Sequence, residues 1–176
     1  MENLIPARKN MIDYINYVTA THASKRYFRK ILRKYLRLNR ITCRLFIKSE
    51  IRDYTTLCVV YKDNDPIGII TYMEDIRDTE NYNRRTVYVK RIIIDTKENV
   101  LENELLVLKD LISTSHEVVI VVASPDIADD EKVMSIEEAR MIQLKNFYLH
   151  NGFYETNGKS VVNGQSWELL SSVKSM

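Results

Sequence analysis

The sequence predicts an α/β (α+β) fold, a mixed central sheet flanked by helices and preceded by a basic helical segment. Three observations predict it. Residues 116–125, "HEVVIVVASP", form a continuous apolar run, the pattern of a strand covered on both faces. From residue 55 onward, segments with strand-like and helix-like periodicity follow one another: hairpin, long strand, helix, buried strand, helix, closing strands. Residues 25–40, "KRYFRKILRKYLRLNR", place eight Lys/Arg and no acid on a helical pattern. The expected organisation is a pair of N-terminal helices within residues 1–40, packed on a single compact domain of residues 41–176.

Taken in order, "PARKNMIDYINYVTA" reads as a helix with Met11, Ile15 and Val18 on one face. In the basic segment, Tyr27, Phe28, Ile31, Leu32, Tyr35, Leu36 and Leu38 fall on one half of the helical wheel. Lys25, Arg26, Arg29, Lys30, Arg33, Lys34 and Arg37 fall on the other. The whole chain has a formal charge of +2, so everything outside residues 25–40 sums to −6. Three readings of the basic face follow: a solvated face of a core helix, a surface for nucleic acid or an acidic protein, and a membrane-surface helix. Arg29, Arg33 and Arg37 are the candidate partner-binding residues, expected to meet acidic groups of this chain or of a neighbour.

Past Arg40 the character changes, and "ITCRLFI" alternates only weakly. Leu57–Tyr61 and Ile67–Met73 are the arms of a hairpin around Asp63-Asn64-Asp65-Pro66. Residues 85–95 are a β-branched strand. "NVLENELLVLKDLISTS" is a helix with Asn99 as N-cap and Leu101, Leu105, Leu108 and Ile112 as its apolar stripe. Ser135 with Glu138 makes a capping box for a helix that ends near Asn151. The chain has 4 Gly in 176 residues, and one of them, Gly152, stands between Asn151 and Phe153. A glycine there can take positive φ just past a helix end and cap it. "FYET", "KSVVNG" and "QSWELLSS" are short closing strands.

The element order over residues 55–170 resembles the GNAT N-acyltransferase superfamily. The most specific matching residues are Phe147-Tyr148, three variable residues, then Gly152-Phe153. The resemblance implies a sheet in which the long strand and the buried strand splay apart and admit the pantetheine arm of acyl-CoA. It implies that Arg91–Asp95 and Val121–Ser124 line that gap. Ile92, Ile93, Ile94, Asn99 and Val100 are then the cofactor-binding candidates. Tyr148 matches the tyrosine that protonates the departing thiolate in many members, a role that needs hydrogen-bond reach of the sulfur.

The chain also departs from the family pattern. The diphosphate turn usually carries Arg/Gln-x-x-Gly-x-Gly/Ala; here the stretch is "DTKENVLENELL", without glycine and with charge −3 over residues 95–104. Unscreened carboxylates there would oppose a diphosphate. Ile142 stands where an Asn is frequent, and Val87–Lys90 lacks the acidic base of many members, for which Glu74 or Glu80 could substitute. These departures favour a GNAT-like scaffold that has lost acyl-CoA binding, needs no cofactor and serves as an interaction or assembly module in a viral or other large complex. The alternative is a divergent N-acetyltransferase that uses acetyl-CoA and acts on an amine. A third reading is a nucleic-acid binder through residues 25–40.

Other classes find no support. No apolar run reaches the roughly 18 residues a membrane span needs. "MENLIPARKN" has no signal-peptide core. Cys43 and Cys58 are isolated and read as free thiols, and no His/Cys spacing suits a metal. The expectation is an intracellular, cytoplasmic protein without a metal.

Overall fold

A computed structural model describes residues 11–79, 82–95, 99–123, 144–162 and 165–174. In chain order the elements are β1 (Ile12–Asn16), α1 (His22–Leu36), α2 (Arg40–Arg52), β2 (Thr56–Lys62), β3 (Asp65–Thr79), β4 (Tyr82–Ile94), α3 (Val100–Thr114) and β5 (Glu117–Ala123). After these come α4 (144–150), β6 (Tyr154–Val162) and β7 (Gln165–Ser171). The strands hydrogen-bond in the order β1-β2-β3-β4-β5-β7-β6. The sheet is mixed as expected: β4 and β5 pair parallel, whereas β1/β2, β2/β3, β5/β7 and β6/β7 pair antiparallel. The chain forms two compact units, one of Met1–Met73 with Arg91–Ser113, the other of Glu74–Lys90 with Thr114–Met176. The boundary expected at residue 40 falls inside the first of them.

The first unit corrects the N-terminal expectations. Residues 12–16 are a strand, not part of a helix. Ile12 and Tyr14 alternate with exposed neighbours, and pairing with β2 from Ile12↔Lys62 to Asn16↔Cys58 satisfies the backbone. The supposed helical stripe of Met11, Ile15 and Val18 is exposed. Residues 40–52 are a helix. Its start is fixed by a capping box in which Asn39 and Thr42 satisfy each other's backbone N–H groups, and Cys43 and Ile47 bury one face. Local β-branching at Ile41 and Thr42 is overridden by that cap and by packing.

α1 begins at Thr21, whose side chain accepts from the Ser24 N–H, and ends at Arg37, which adopts φ 52°. Leu38 N–H closes the end by donating to the Arg33 carbonyl at 3.1 Å. Phe28, Ile31 and Leu32 are fully buried with Cys43, Ile47, Leu57, Val59 and Ile69 in one core. The β2–β3 hairpin turns on Asp63 and Asn64, both at positive φ, the backbone of a two-residue primed turn. Gly68 is required by close approach, because a Cβ there would overlap the Ile93 carbonyl. α3 buries Asn103, Glu104, Val107, Leu108 and Leu111, while Leu101 and Ile112 of the expected stripe are exposed. Polar groups hold the α3 face: Lys62 Nζ donates to Asn103 Oδ1 at 2.9 Å, and Tyr14 Oη donates to Asp110 Oδ2 at 2.8 Å.

In the second unit, Val87, Val89, Val118, Ile120, Tyr148, Phe153 and Leu170 are buried. Lys145 of α4 donates to Glu155 of β6 at 3.0 Å and Glu168 of β7 at 2.8 Å. β6 is one strand with a register shift between Glu155 and Lys159, where two short strands were expected. The capping box at Ser135 and Glu138 lies outside the described residues.

Candidate functional site

The helix–glycine–aromatic unit has the expected geometry. Gly152 sits at φ 94°, where a residue with a Cβ would be strained. Phe153 N–H donates to the Tyr148 carbonyl at 3.1 Å, the long bond of a Schellman cap. The Tyr148 side chain is 3% exposed and packs edge-on against both Phe147 and Phe153, with centroids 5.7 Å apart in each pair. Tyr148 is thus part of the cap and of the second unit's buried set.

In the same unit, the parallel β4/β5 ladder has four rungs, from Thr86↔Glu117 to Val89↔Ile120. β5 runs on through Val121, Val122 and Ala123, which pair on their other side with Leu169, Glu168 and Trp167 of β7. Among the described residues, the β4/β5 rungs stop at Val89↔Ile120 and none accompanies those three. Ser124 and Ile142 lie outside the described residues. Glu74 is ion-paired with Arg85, and Glu80 is outside the described residues.

In the first unit, Ile92 and Ile93 are half-buried and Ile94 is 5% exposed. Arg91 lies over the Phe46 ring at 4.9 Å and 3.9 Å from Glu50, and burial lowers its pKa despite that carboxylate. Asp95 accepts from Lys34 Nζ at 3.1 Å and Tyr35 Oη at 3.0 Å, and its carboxylate raises the pKa of Lys34. Glu104 is buried. Two of the acids behind the −3 of residues 95–104 are therefore held within the fold. Asn99 takes φ 59°, a left-handed conformation that Asn tolerates and that glycines supply in the usual diphosphate turn. Its carbonyl accepts the Asn103 N–H at 2.9 Å, so α3 starts at Val100 with its first N–H groups beyond the helix's own ladder. Asn99 was legible as the start of α3; its backbone conformation was not.

α1 and α2 enclose a cleft of about 910 Å³. α1 contributes Arg26, Arg29, Lys30, Arg33 and Lys34; α2 and its start contribute Arg40, Arg44 and Lys48. Cys43 and Ile47 lie on its floor, where burial raises the Cys43 thiol pKa. Of the three expected partner-binding residues, the fold brings Arg29 and Arg33 to this cleft, while Arg37 forms the left-handed end of α1. Arg29 donates to Tyr17 Oη at 3.3 Å. Sequence reasoning missed Arg44 and Lys48, and set Arg40 at the end of the basic segment where the structure makes it the start of α2. Their four-residue spacing was visible, but only a helical reading of residues 40–52 puts them on one face.

No family model matches the sequence, and no curated protein matches it. Solved structures do match the fold. An aminoglycoside 6'-N-acetyltransferase from Enterococcus faecium superposes with TM-score 0.58 at 6% identity, over 94% of this chain and 99% of that one. Naa50 of Arabidopsis thaliana, in complex with a bisubstrate analogue, gives 0.51 at 14% identity over 94% and 99%. A GNAT-family protein from Desulfovibrio desulfuricans gives 0.54 at 8% identity over 92% and 98%. The chain has the GNAT fold. Among its described residues no helix is long and apolar enough to cross a membrane.

Proposed function

We propose that this GNAT-fold chain is an acyl-CoA-dependent N-acyltransferase acting on an amine, the reading set second by the sequence. The observation that carries it is the half-open edge of β5: Val121–Ala123 pair with β7 alone among the described residues, which leaves backbone groups for a pantetheine arm. The acidic-stretch argument for lost binding loses force, because Asp95 and Glu104 are taken up by the fold. Asn99 and Val100 are the diphosphate candidates in this reading. Acetyl-CoA would supply an acyl group already activated as a thioester. The chain's task is then to orient an amine and to deliver a proton to the departing sulfur. Tyr148 is the proton donor in this reading, held in place by Phe147 and Phe153.

Calorimetric titration of the full chain with acetyl-CoA is the test. A saturable micromolar dissociation constant, lost when free CoA is present in excess, is expected. Absence of saturable binding below the millimolar range overturns the proposal and supports an interaction module that has lost its cofactor. Tyr148→Phe should keep the acetyl-CoA constant and lower turnover on an amine by roughly 100-fold or more, the usual scale for a lost general acid.

A further inference from the structure

We infer that the α1/α2 cleft is a binding site for the sugar–phosphate backbone of a single-stranded nucleic acid. Among the described residues, eight cations line it and no acid does. Among the described residues, Lys34 is the one cleft cation in an ion pair, with Asp95. Such a concentration of like charge, with Asp95 the one counter-charge among the described residues, favours a polyanion.

The spacing favours a chain of anions over a single one. Arg40, Arg44 and Lys48 follow at four-residue intervals on one wall, as do Arg29 and Arg33 on the other. Four helical residues rise about 6 Å, so each wall offers a cation at about every 6 Å. Five of the eight cations are arginines. Their forked N–H donors suit phosphate oxygens better than a point charge does. The cleft, about 910 Å³, has room for a few nucleotides of one strand and is too small to take in a duplex.

Two other occupants fit less well. A protein partner needs apolar anchors, but the apolar floor residues Cys43 and Ile47 are already 1% and 6% exposed. A bilayer needs an apolar helix face to insert, but Phe28, Ile31 and Leu32 of α1 are fully buried in the core.

The test is fluorescence anisotropy of a labelled oligothymidylate with the full chain at low salt. Saturable binding is expected, weakening with salt by about 0.7 in the log–log slope for each phosphate engaged. Arg33→Glu combined with Arg44→Glu should reduce affinity at least tenfold. Lys109→Glu, an exposed change on α3 outside the cleft, should change it less than twofold. If the double reversal unfolds the chain, Arg33→Gln with Arg44→Gln should lower the slope by about 1.4. Three results overturn the proposal: no saturable binding, tighter binding of a duplex of equal length, or equal displacement by polyglutamate at matched charge. The last would assign the cleft to an acidic protein. None of these readouts involves acyl-CoA, so they stand or fall apart from the acyltransferase reading.

Discussion

The two units treat their cations differently. In the second, Lys145 is clasped by Glu155 and Glu168, and Arg85 is paired with Glu74. In the first, three acids leave every cleft cation but Lys34 without an acidic partner among the described residues. Asp110 accepts from Tyr14, Glu50 lies beside Arg91, and Asp95 takes Lys34 at the cleft's margin. Paired cations join elements; Lys145 ties α4 to two strands. Among the described residues, Lys34 alone of the cleft cations reaches an acid of its own chain. A row of like charges at helical spacing costs folding stability. On the nucleic-acid proposal, the contrast separates charges left for a ligand in the first unit from charges that join elements in the second.

Substitutions can break that contrast. The largest effect should come from Phe28→Ala, on the apolar half of α1. Phe28 is fully buried in the first unit's core, so truncation should cost about 3–5 kcal/mol by denaturant unfolding. A cost near zero would mean that α1 is not anchored as described, and the cleft beside it would lose its wall.

Next is Tyr14→Phe. Tyr14 Oη is half-buried and donates to Asp110. Burial first, then that hydrogen bond, raises its pKa above the ordinary tyrosine value. The neutral phenol is thus preferred in the folded state. Its contribution is fully present below about pH 10 and is lost as pH rises beyond it, because the unfolded chain ionises first. The variant should lose about 1–2 kcal/mol at neutral pH and show a shallower alkaline decline. An unchanged alkaline limb would show that this bond does not hold β1 to α3.

Lys145→Ala should cost about 1 kcal/mol, since its partners are partly exposed and the pair is screened. Its raised pKa comes first from Glu168 and then from Glu155, so this contribution too fades at alkaline pH, as the lysine loses its proton. The loss should shrink in high salt.

Much of the fold was legible where local chemistry and the tertiary role agree. Gly152 announced its left-handed cap, Asp63-Asn64 its turn, and the apolar run from Val118 its covered strand. Where they disagree, the sequence misled. Met11, Ile15 and Val18 have helical spacing, but the strand is decided by pairing with β2, a contact some fifty residues away. Ile41 and Thr42 resemble strand residues, yet the Asn39–Thr42 capping box starts a helix there. The candidate sites suffered the same way. The basic face of α1 was visible, but the facing row on α2 required knowing that residues 40–52 are helical. The charge of residues 95–104 was countable, but not that Asp95 and Glu104 are taken up by Lys34 and by burial.

The smallest expected effect has the opposite sign from the others. Arg33 is exposed, with Arg29, Lys30 and Arg37 three or four residues away on the same helix, all cationic. Among the described residues it has no acidic partner. Arg33→Gln removes repulsion without breaking a bond, and should stabilise the chain by about 0.2–0.5 kcal/mol at low ionic strength. For a chain of this size that is a rise of about 1 °C in Tm. The gain should vanish at about 1 M salt, where the screening length falls to about 3 Å. The same change should weaken oligothymidylate binding. Stability gained while binding is lost marks a residue kept for a ligand. A fall in Tm would instead place Arg33 with Lys145 as a cation that serves the fold, and the contrast between the two units would end there.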